Sequence, residues 1–491
     1  MPSTPRRFRI TTLGCRVNHA ETRELASILQ DRGLIPADAG ENADLEVVHT
    51  CSVTRTAAAK SRQAIRRAAR KHGGEPEVFV TGCFVGTDPT VAANLATDAK
   101  NAIPHATGDD STLAERFARR VDAWLSNRTK SDHISPIRLT SSSCSESTAA
   151  AEPVIRPLPV IELADRASRH IRAELRLQDG CDAHCTFCII PKIRRTLRSK
   201  SIDDAVREAQ MLVDQGHQEI VLTGIFIGAY GHETALRRKQ RSPGAKPLAD
   251  VLDAVAQVQG VERLRISSME PGDVSSALLD AMVANAPIVV PHLHLPLQSG
   301  SDAILRRMNR QYRVGDYLEM VDAMNSALTT DDGLPPAITT DIICGFPGET
   351  DADFDETVQV AKRVGYLHMH VFPYSPRDGT AAARWTDVAV PDHIARARVR
   401  QLIDLEHDAS VGLSRRYRDR LHGRTVRVIL EQPSRAHTGW MTGRCDHYAQ
   451  VRVLTDRPRG TLIELRIQEV EHDCLVGELM PERITLPVVS T

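Results

Sequence analysis

The sequence predicts an α/β chain in three parts: an N-terminal parallel α/β domain, an open (β/α)6 barrel and a small C-terminal β-barrel. Three observations predict it. Short β-type runs alternate with helical stretches over the first 130 residues, and the alternation returns at greater length from about residue 166 to 400. The last 70 residues hold only short β-rich runs broken by Gly and Pro turns.

A chain of 491 residues, 41% of them hydrophobic, is long enough for roughly three domains of about 150 residues each. In the first, expected over 6–130, the runs RFRITTLGC, ADLEVVHTC and EVFVTGC each end in a cysteine: Cys15, Cys51 and Cys83. In an open parallel sheet the C-terminal strand ends share one edge, so three residues far apart in sequence are predicted to meet there. One cysteine at a strand end reads as a small buried hydrophobe; three predict a three-thiolate site with an open coordination position. Residues 131–165 are rich in Ser, Thr and Ala without a sustained period, and read as an exposed linker with Cys144 as a spare thiol.

The second domain is expected over 166–405. AELRLQ, EIVLTG, RLRISS, HLHLPL, ITTDIICGF and HMHVFPY read as strands separated by helices such as IDDAVREAQMLVDQG, and six such units predict an open barrel with function at the C-terminal strand ends. GHETALRRKQRSPGAK reads as a surface loop. Directly after the first strand, GCDAHCTFC brings Cys181, Cys185 and Cys188 within reach of one centre. Thiolates suit zinc and iron–sulfur clusters alike, but the paired CxxC spacing of a four-ligand zinc site is missing. A cluster with one iron left open fits CxxxCxxC better. Cys344 reads as buried core, and Cys445 and Cys474 have no ligand-like spacing.

The third domain, expected over 415–487, carries TVRVILEQ, TGWMTGRCDHYAQVRVLT and GTLIELRIQEVEHDCLVGEL. A markedly basic helix, SVGLSRRYRDRLHGRTVRV, leads into it, and a basic surface beside a small barrel points to an oligonucleotide partner. The formal net charge of -1 hides such local patches. A second patch is the expected helix from Lys60 to Lys71, with Arg66, Arg67 and Arg70 as candidate RNA contacts beside the Cys51 loop. Ten cysteines are too few for a disulfide-stapled secreted domain, and no apolar run is long enough for a signal or a membrane span. The expected setting is the reducing cytoplasm, with no membrane partner.

GCDAHCTFC resembles the signature of the radical S-adenosylmethionine superfamily. The resemblance implies a 4Fe–4S cluster on Cys181, Cys185 and Cys188 whose open iron chelates S-adenosylmethionine. It also implies cofactor contacts at Phe187, at Gly224 in LTGI, at Glu270 in ISSME, at Gln298 in LPLQSGS, along GFPGET from Gly345 and at Phe372 in VFPYS. Nearly the whole chain resembles one branch, the methylthiotransferases, whose N-terminal domain holds a second 4Fe–4S cluster and whose C-terminal TRAM domain binds RNA. Cys15, Cys51 and Cys83, in TLGCRVN, HTCSVT and VTGC, match the ligands of that second cluster. The implied chemistry uses two S-adenosylmethionine molecules, one methylating sulfur on the second cluster and one giving the radical that takes hydrogen from the substrate carbon. No catalytic side chain beyond the cluster ligands is implied.

TLGCRVNHAET, SRQAIRRAARK and CTFCIIP most resemble enzymes acting on N6-threonylcarbamoyladenosine immediately 3′ of the tRNA anticodon. Other branches act on N6-isopentenyladenosine or a ribosomal protein aspartate, and a metal-stabilised RNA-binding protein is the non-enzymatic alternative. The implied partners are tRNA, a low-potential donor of flavodoxin or ferredoxin type and a sulfur source, with the enzyme expected to be a monomer. His49 and Arg195 depart from the family pattern and place the details of the substrate pocket in question.

Overall fold

The computed structural model describes residues 5–38, 40–70, 76–96, 99–105, 111–128, 156–158, 171–237, 246–435 and 437–480. Strands β1 (Arg7–Thr12), β2 (Leu45–Thr50) and β3 (Glu77–Gly82) form the centre of a five-stranded parallel sheet, edged by the two-residue strands Ile35–Pro36 and Ala102–Ile103. Helix α1 (Arg16–Gln30) turns Leu25, Ile28 and Leu29 onto Phe8, Leu45 and Phe79. Helix α2 (Arg55–Arg70) buries Ala58, Ser61, Ile65 and Ala68 at helical spacing on the opposite face. It begins five residues before the expected Lys60 start, and Lys71 lies outside the described residues. The pairs Thr12 with His49 and Thr50 with Gly82 set the three strand ends level, so the residues leaving those strands share one edge. Helix α3 (Leu113–Arg128) closes the first face.

Of the expected linker only 156–158 is described, and Cys144 lies outside. The barrel strands are, in chain order, β4 (Arg172–Asp179), β5 (Glu219–Gly224), β6 (Arg263–Ile266), β7 (His292–His294), β8 (Ala337–Cys344) and β9 (His368–Pro373). All neighbours run parallel, and β6 meets the segment entering β7 through Leu264 and Val289. The short antiparallel strand Arg198–Ser199 lies outside β4. Alternation decides the two faces. Ala173, Leu175 and Leu177 of β4 join Ile220, Leu264, Leu293 and Ile338 in the core beneath the helices, while Arg172, Glu174, Arg176 and Gln178 point the other way. The inner wall of this barrel is therefore polar.

The tail is a closed five-stranded barrel of β10 (Thr425–Pro433), β11 (Trp440–Cys445), β12 (Gln450–Leu454), β13 (Leu462–Val470) and β14 (Leu475–Leu479). The basic helix expected before it is only one segment, Leu413–Asp419. Gly423 at φ 75° takes the left-handed conformation that ends helices, and the β-branched alternation of TVRV enters β10.

Candidate active site

Cys15, Cys51 and Cys83 emerge from the level ends of β1, β2 and β3. Two glycines permit the approach. A Cβ on Gly14, at φ 118°, would stand 2.9 Å from the Cys51 Cβ and 3.2 Å from its Sγ; on Gly82, at φ 98°, it would stand 2.3 Å from the Thr50 carbonyl oxygen. Helix α2 fixes the Cys51 backbone through one hydroxyl: the Cys51 N–H donates to Ser61 Oγ at 3.1 Å, and that hydroxyl donates to the Cys51 carbonyl at 2.7 Å. Burial raises the Cys51 thiol, and neighbouring Cys15 adds to the rise. Burial pushes Cys83 up to about 12; Arg194 opposes this, and Cys15 and Cys51 reinforce it. The three groups thus share one electrostatic neighbourhood.

Cys181, Cys185 and Cys188 occupy the loop after β4, which turns on Gly180 at φ 82°. The Cys181 N–H donates to the Arg194 carbonyl at 3.0 Å and the Cys188 N–H to the Cys185 carbonyl at 3.1 Å, curling the loop around one centre. Burial pushes Cys188 up to about 12 and raises Cys181 and Cys185, with the sister thiols adding to the rise at Cys181 and Cys188. Arg310 Nη1 donates to Cys185 Sγ at 3.3 Å while its Nη2 pairs with Glu270 at 2.8 Å. Arg237 approaches the other Glu270 oxygen at 3.1 Å. Glu270 is thereby joined to the cysteine loop.

The two sets of thiols come from opposing domains. Cys83 packs against Ile189 and Ile193, immediately beyond Cys188. Past Cys51, Arg377 donates to the Ser52 carbonyl, and the Arg55 N–H donates to Ser375 Oγ at 3.2 Å. Beneath this contact lies a buried ionic network. Arg194 reaches Glu21 through both terminal nitrogens at 2.8 Å, Asp179 at 2.7 Å and His105 at 3.0 Å. Arg176 adds Glu21 at 3.1 Å and Glu24, and His49 lies 3.2 Å from Glu21. Burial alone would raise the Glu21 carboxyl, but Arg194, His105, His49 and Arg176 hold it well below the usual carboxylate range. Burial and Arg194 hold His105 neutral.

Residues 175–361 match the Radical SAM superfamily, and residues 7–102 match Uncharacterized protein family UPF0004. The chain is 35% identical over 476 residues to "Threonylcarbamoyladenosine tRNA methylthiotransferase MtaB" of Bacillus subtilis, covering 96% of this chain and 95% of that one. The chain belongs to the radical SAM methylthiotransferases. "tRNA-2-methylthio-N(6)-dimethylallyladenosine synthase" of Bartonella tribocorum is 30% identical, with 97% of both chains covered. Among solved structures, the radical S-adenosylmethionine methyltransferase TsrM from Kitasatospora setae superposes with a TM-score of 0.51 at 14% identity, over 76% of this chain and 77% of that one, a likeness of fold. This methylthiotransferase is an enzyme that uses S-adenosylmethionine and a 4Fe–4S cluster.

The other predicted positions each have their own local contacts. Gly224 ends β5 against Gln178, whose Oε1 accepts from the Phe226 N–H at 2.8 Å. Gln298 adopts φ 63° and donates its N–H to the Asp341 carbonyl at 2.8 Å. Phe187 meets Phe346 edge-to-face at 6.3 Å, beside Ile304 and Met308. Phe372 is 44% exposed, its ring 6.4 Å from that of His370. Arg66, Arg67 and Arg70 line a shallow surface groove, and no carboxylate among the described residues pairs with them. His49 is fully buried within the ionic network rather than open to a substrate, while Arg195 is exposed and donates Nε to the Lys192 carbonyl at 3.0 Å.

Sequence reasoning passed over Glu21, Arg176, Arg194, Arg310 and the inner wall of the barrel. One signal was available: β4 reads Arg172, Glu174, Arg176, Gln178 at every second position, a charged strand face that something must cover. At the far end of that wall Glu219 is held well below the usual carboxylate range; burial opposes this, and Arg263, Arg265 and Arg172 impose it. Tyr448 of the tail inserts there, stacked on His292 at 4.4 Å. Its burial would raise the phenol, but Arg16, Arg444, Arg172 and Arg265 lower it.

Proposed function

We propose that the chain is a tRNA methylthiotransferase converting N6-threonylcarbamoyladenosine, immediately 3′ of the anticodon, to its 2-methylthio derivative. The observation that carries this reading is the pair of three-thiol sets brought together across the contact of Cys83 with the segment after Cys188. Each set has three sulfurs and glycines where a side chain would block approach, and backbone hydrogen bonds curl the loop that carries the Cys181 set. That arrangement fits a cluster with one iron left open. Cys181, Cys185 and Cys188 would hold the first cluster, and Cys15, Cys51 and Cys83 the second. With S-adenosylmethionine bound, such clusters supply a carbon radical at the first site and a sulfur-bearing position at the second.

The remaining work falls to side chains. The buried thiols stay protonated without metal, so binding the clusters expels protons. Arg310 holds Glu270 beside Cys185 and offers a charge-assisted N–H to that sulfur. Glu270, Gly224, Gln298, Phe187 and Phe372 stand at or beyond successive strand ends, where S-adenosylmethionine would be bound. The unpaired Arg66, Arg67 and Arg70, on the helix that braces Cys51, offer phosphate contacts. A flavodoxin- or ferredoxin-type donor and a sulfur source complete the reaction. Relatives named for both threonylcarbamoyl and dimethylallyl substrates match this chain, at 35%, 32% and 30% identity for the first and 33%, 30% and 29% for the second, and it is the resemblance of TLGCRVNHAET and SRQAIRRAARK that favours the former.

The test is nucleoside mass spectrometry of tRNA from cells lacking the gene, complemented with wild type, Cys15→Ala or Cys185→Ala. Selective loss of 2-methylthio-N6-threonylcarbamoyladenosine, restored by wild type alone, is expected. Loss of the isopentenyl analogue instead would overturn the substrate, and no change in any nucleoside would overturn the tRNA reading.

A further inference from the structure

Charge on the inner wall of the large barrel is almost entirely cancelled. Arg263 and Arg265 converge on Glu219, Arg172 meets Glu219 and Glu431, and Arg176 meets Glu21 and Glu24. Two guanidiniums at the same place are different. Arg16, the residue after Cys15, donates Nη2 to Tyr448 Oη at 3.1 Å; Arg444 lies 4.5 Å over the Tyr448 ring and donates Nη1 to its carbonyl at 3.0 Å. No carboxylate among the described residues pairs with either. Tyr448 is itself fixed, stacked on His292 of β7 and held at φ 66° in the turn between β11 and β12. Two half-buried cations therefore flank one phenol with no counter-charge.

We propose that Arg16, with Arg444 beside it, receives the carboxylate of the threonylcarbamoyl substituent on the substrate adenine. The inference rests on the substrate reading above and assigns the residues that would carry it. A threonylcarbamoyl group carries a carboxylate that is ionised at neutral pH, whereas an isopentenyl group is uncharged. A guanidinium matches a carboxylate in a two-pronged geometry that an ammonium does not reproduce. Leaving such a cation unpaired under a neutral ligand is costly, so the site selects by penalising the wrong substrate as well as by holding the right one. Location supports the assignment. The substituent and the carbon to be thiolated share one six-membered ring, so a reader of the substituent must stand close to the second cysteine set, and Arg16 is bonded directly to Cys15.

The experiment measures binding of the full chain, without S-adenosylmethionine, to fluorescent anticodon stem-loops bearing the threonylcarbamoyl acid, its methylamide, or isopentenyladenosine. Arg16→Gln is expected to weaken the acid by roughly ten- to hundredfold, the range for a hydrogen bond to a charged group, and to leave the methylamide unchanged. Arg16→Lys restores part of the loss, and Arg444→Gln, in a different domain, shows the same acid-selective direction. Iron content equal to wild type shows that the Cys15 loop is intact. Equal weakening of acid and amide, or no weakening of either, would overturn the assignment while wild-type preference for the acid kept the substrate reading standing. Wild-type preference for the isopentenyl stem-loop would overturn the substrate reading itself.

Discussion

Replacing Arg194 with Met tests the joint between the N-terminal domain and the barrel. The arginine and Glu21 are each only 1% exposed, so removing the guanidinium strands a carboxylate away from water. Breaking a buried pair on one side costs about 3–5 kcal/mol, a large part of the roughly 5–15 kcal/mol that holds a domain folded. Arg176 and His49 remain near Glu21 and set the result toward the lower figure. Amide hydrogen exchange along α1 measures this directly, because that helix carries Glu21 and Glu24 and opens when the joint fails. The double variant Glu21→Gln/Arg194→Met has no stranded charge and should recover about 1–3 kcal/mol relative to the sum of the single changes. The pH dependence has a fixed sign. Glu21 is depressed in the folded state, so its contribution is present above an unfolded value of about 4.3 and is lost as pH falls through the lower folded value. Without Arg194 the folded value rises, and loss of protection on acidification begins at a higher pH. Unchanged exchange along α1 in Arg194→Met, or strict additivity in the double variant, would refute the argument.

Gly82→Ala places a methyl 2.3 Å from the Thr50 carbonyl at a left-handed φ, and is expected to cost about 1–3 kcal/mol; an unchanged melting temperature would contradict the packing described for the β2–β3 edge. Arg310→Met removes the cation and the N–H at Cys185, so the reduction potential of a cluster there should fall by roughly 50 mV in an EPR-monitored titration, about a factor of ten for one electron. Reversal of Arg66, Arg67 and Arg70 to Glu should weaken tRNA binding and reduce the slope of log affinity against log salt by about 2 to 3, with an unchanged slope excluding phosphate contact.

The parts of the fold that sequence made legible are those with local periods. Three apolar runs each closing on a cysteine announced a parallel sheet with a shared edge, and Thr12, His49, Thr50 and Gly82 stand at the register that reading required. The six barrel strands were legible for the same reason, since Ala173, Leu175 and Leu177 alternate with charge. What stayed hidden is non-local. Glu21, Arg176 and Arg194 lie in different elements, and no spacing rule joins residues 155 and 173 positions apart. His49 departs from the family pattern, which put details of the substrate pocket in question; its buried ring lies beside Glu21 in the network that fastens two domains. Phe187 shows the limit of motif matching, because its edge-to-face contact with Phe346 gives the same ring a packing role.

Arg263 is wholly buried, and it is buried by the tail: it donates to the Arg444 carbonyl at 3.1 Å and meets Asp446 at 3.3 Å, while Arg265 donates to the Asp446 carbonyl at 3.0 Å. The tail is thus a plug as well as an appendage. A chimera carrying a tail grafted from a relative would expose two arginines and Glu219 unless the graft reproduced the turn around Asp446 and Tyr448. Likewise, a truncation at residue 407 would open to water not only that charged cluster but also Leu334, Ala337 and Leu367, which share one apolar cluster with Tyr417, Leu421 and the tail strands. Modularity in this chain ends where compositional boundaries suggest it begins, so recombination between homologues can succeed only when the β11–β12 turn travels with the strands it seals.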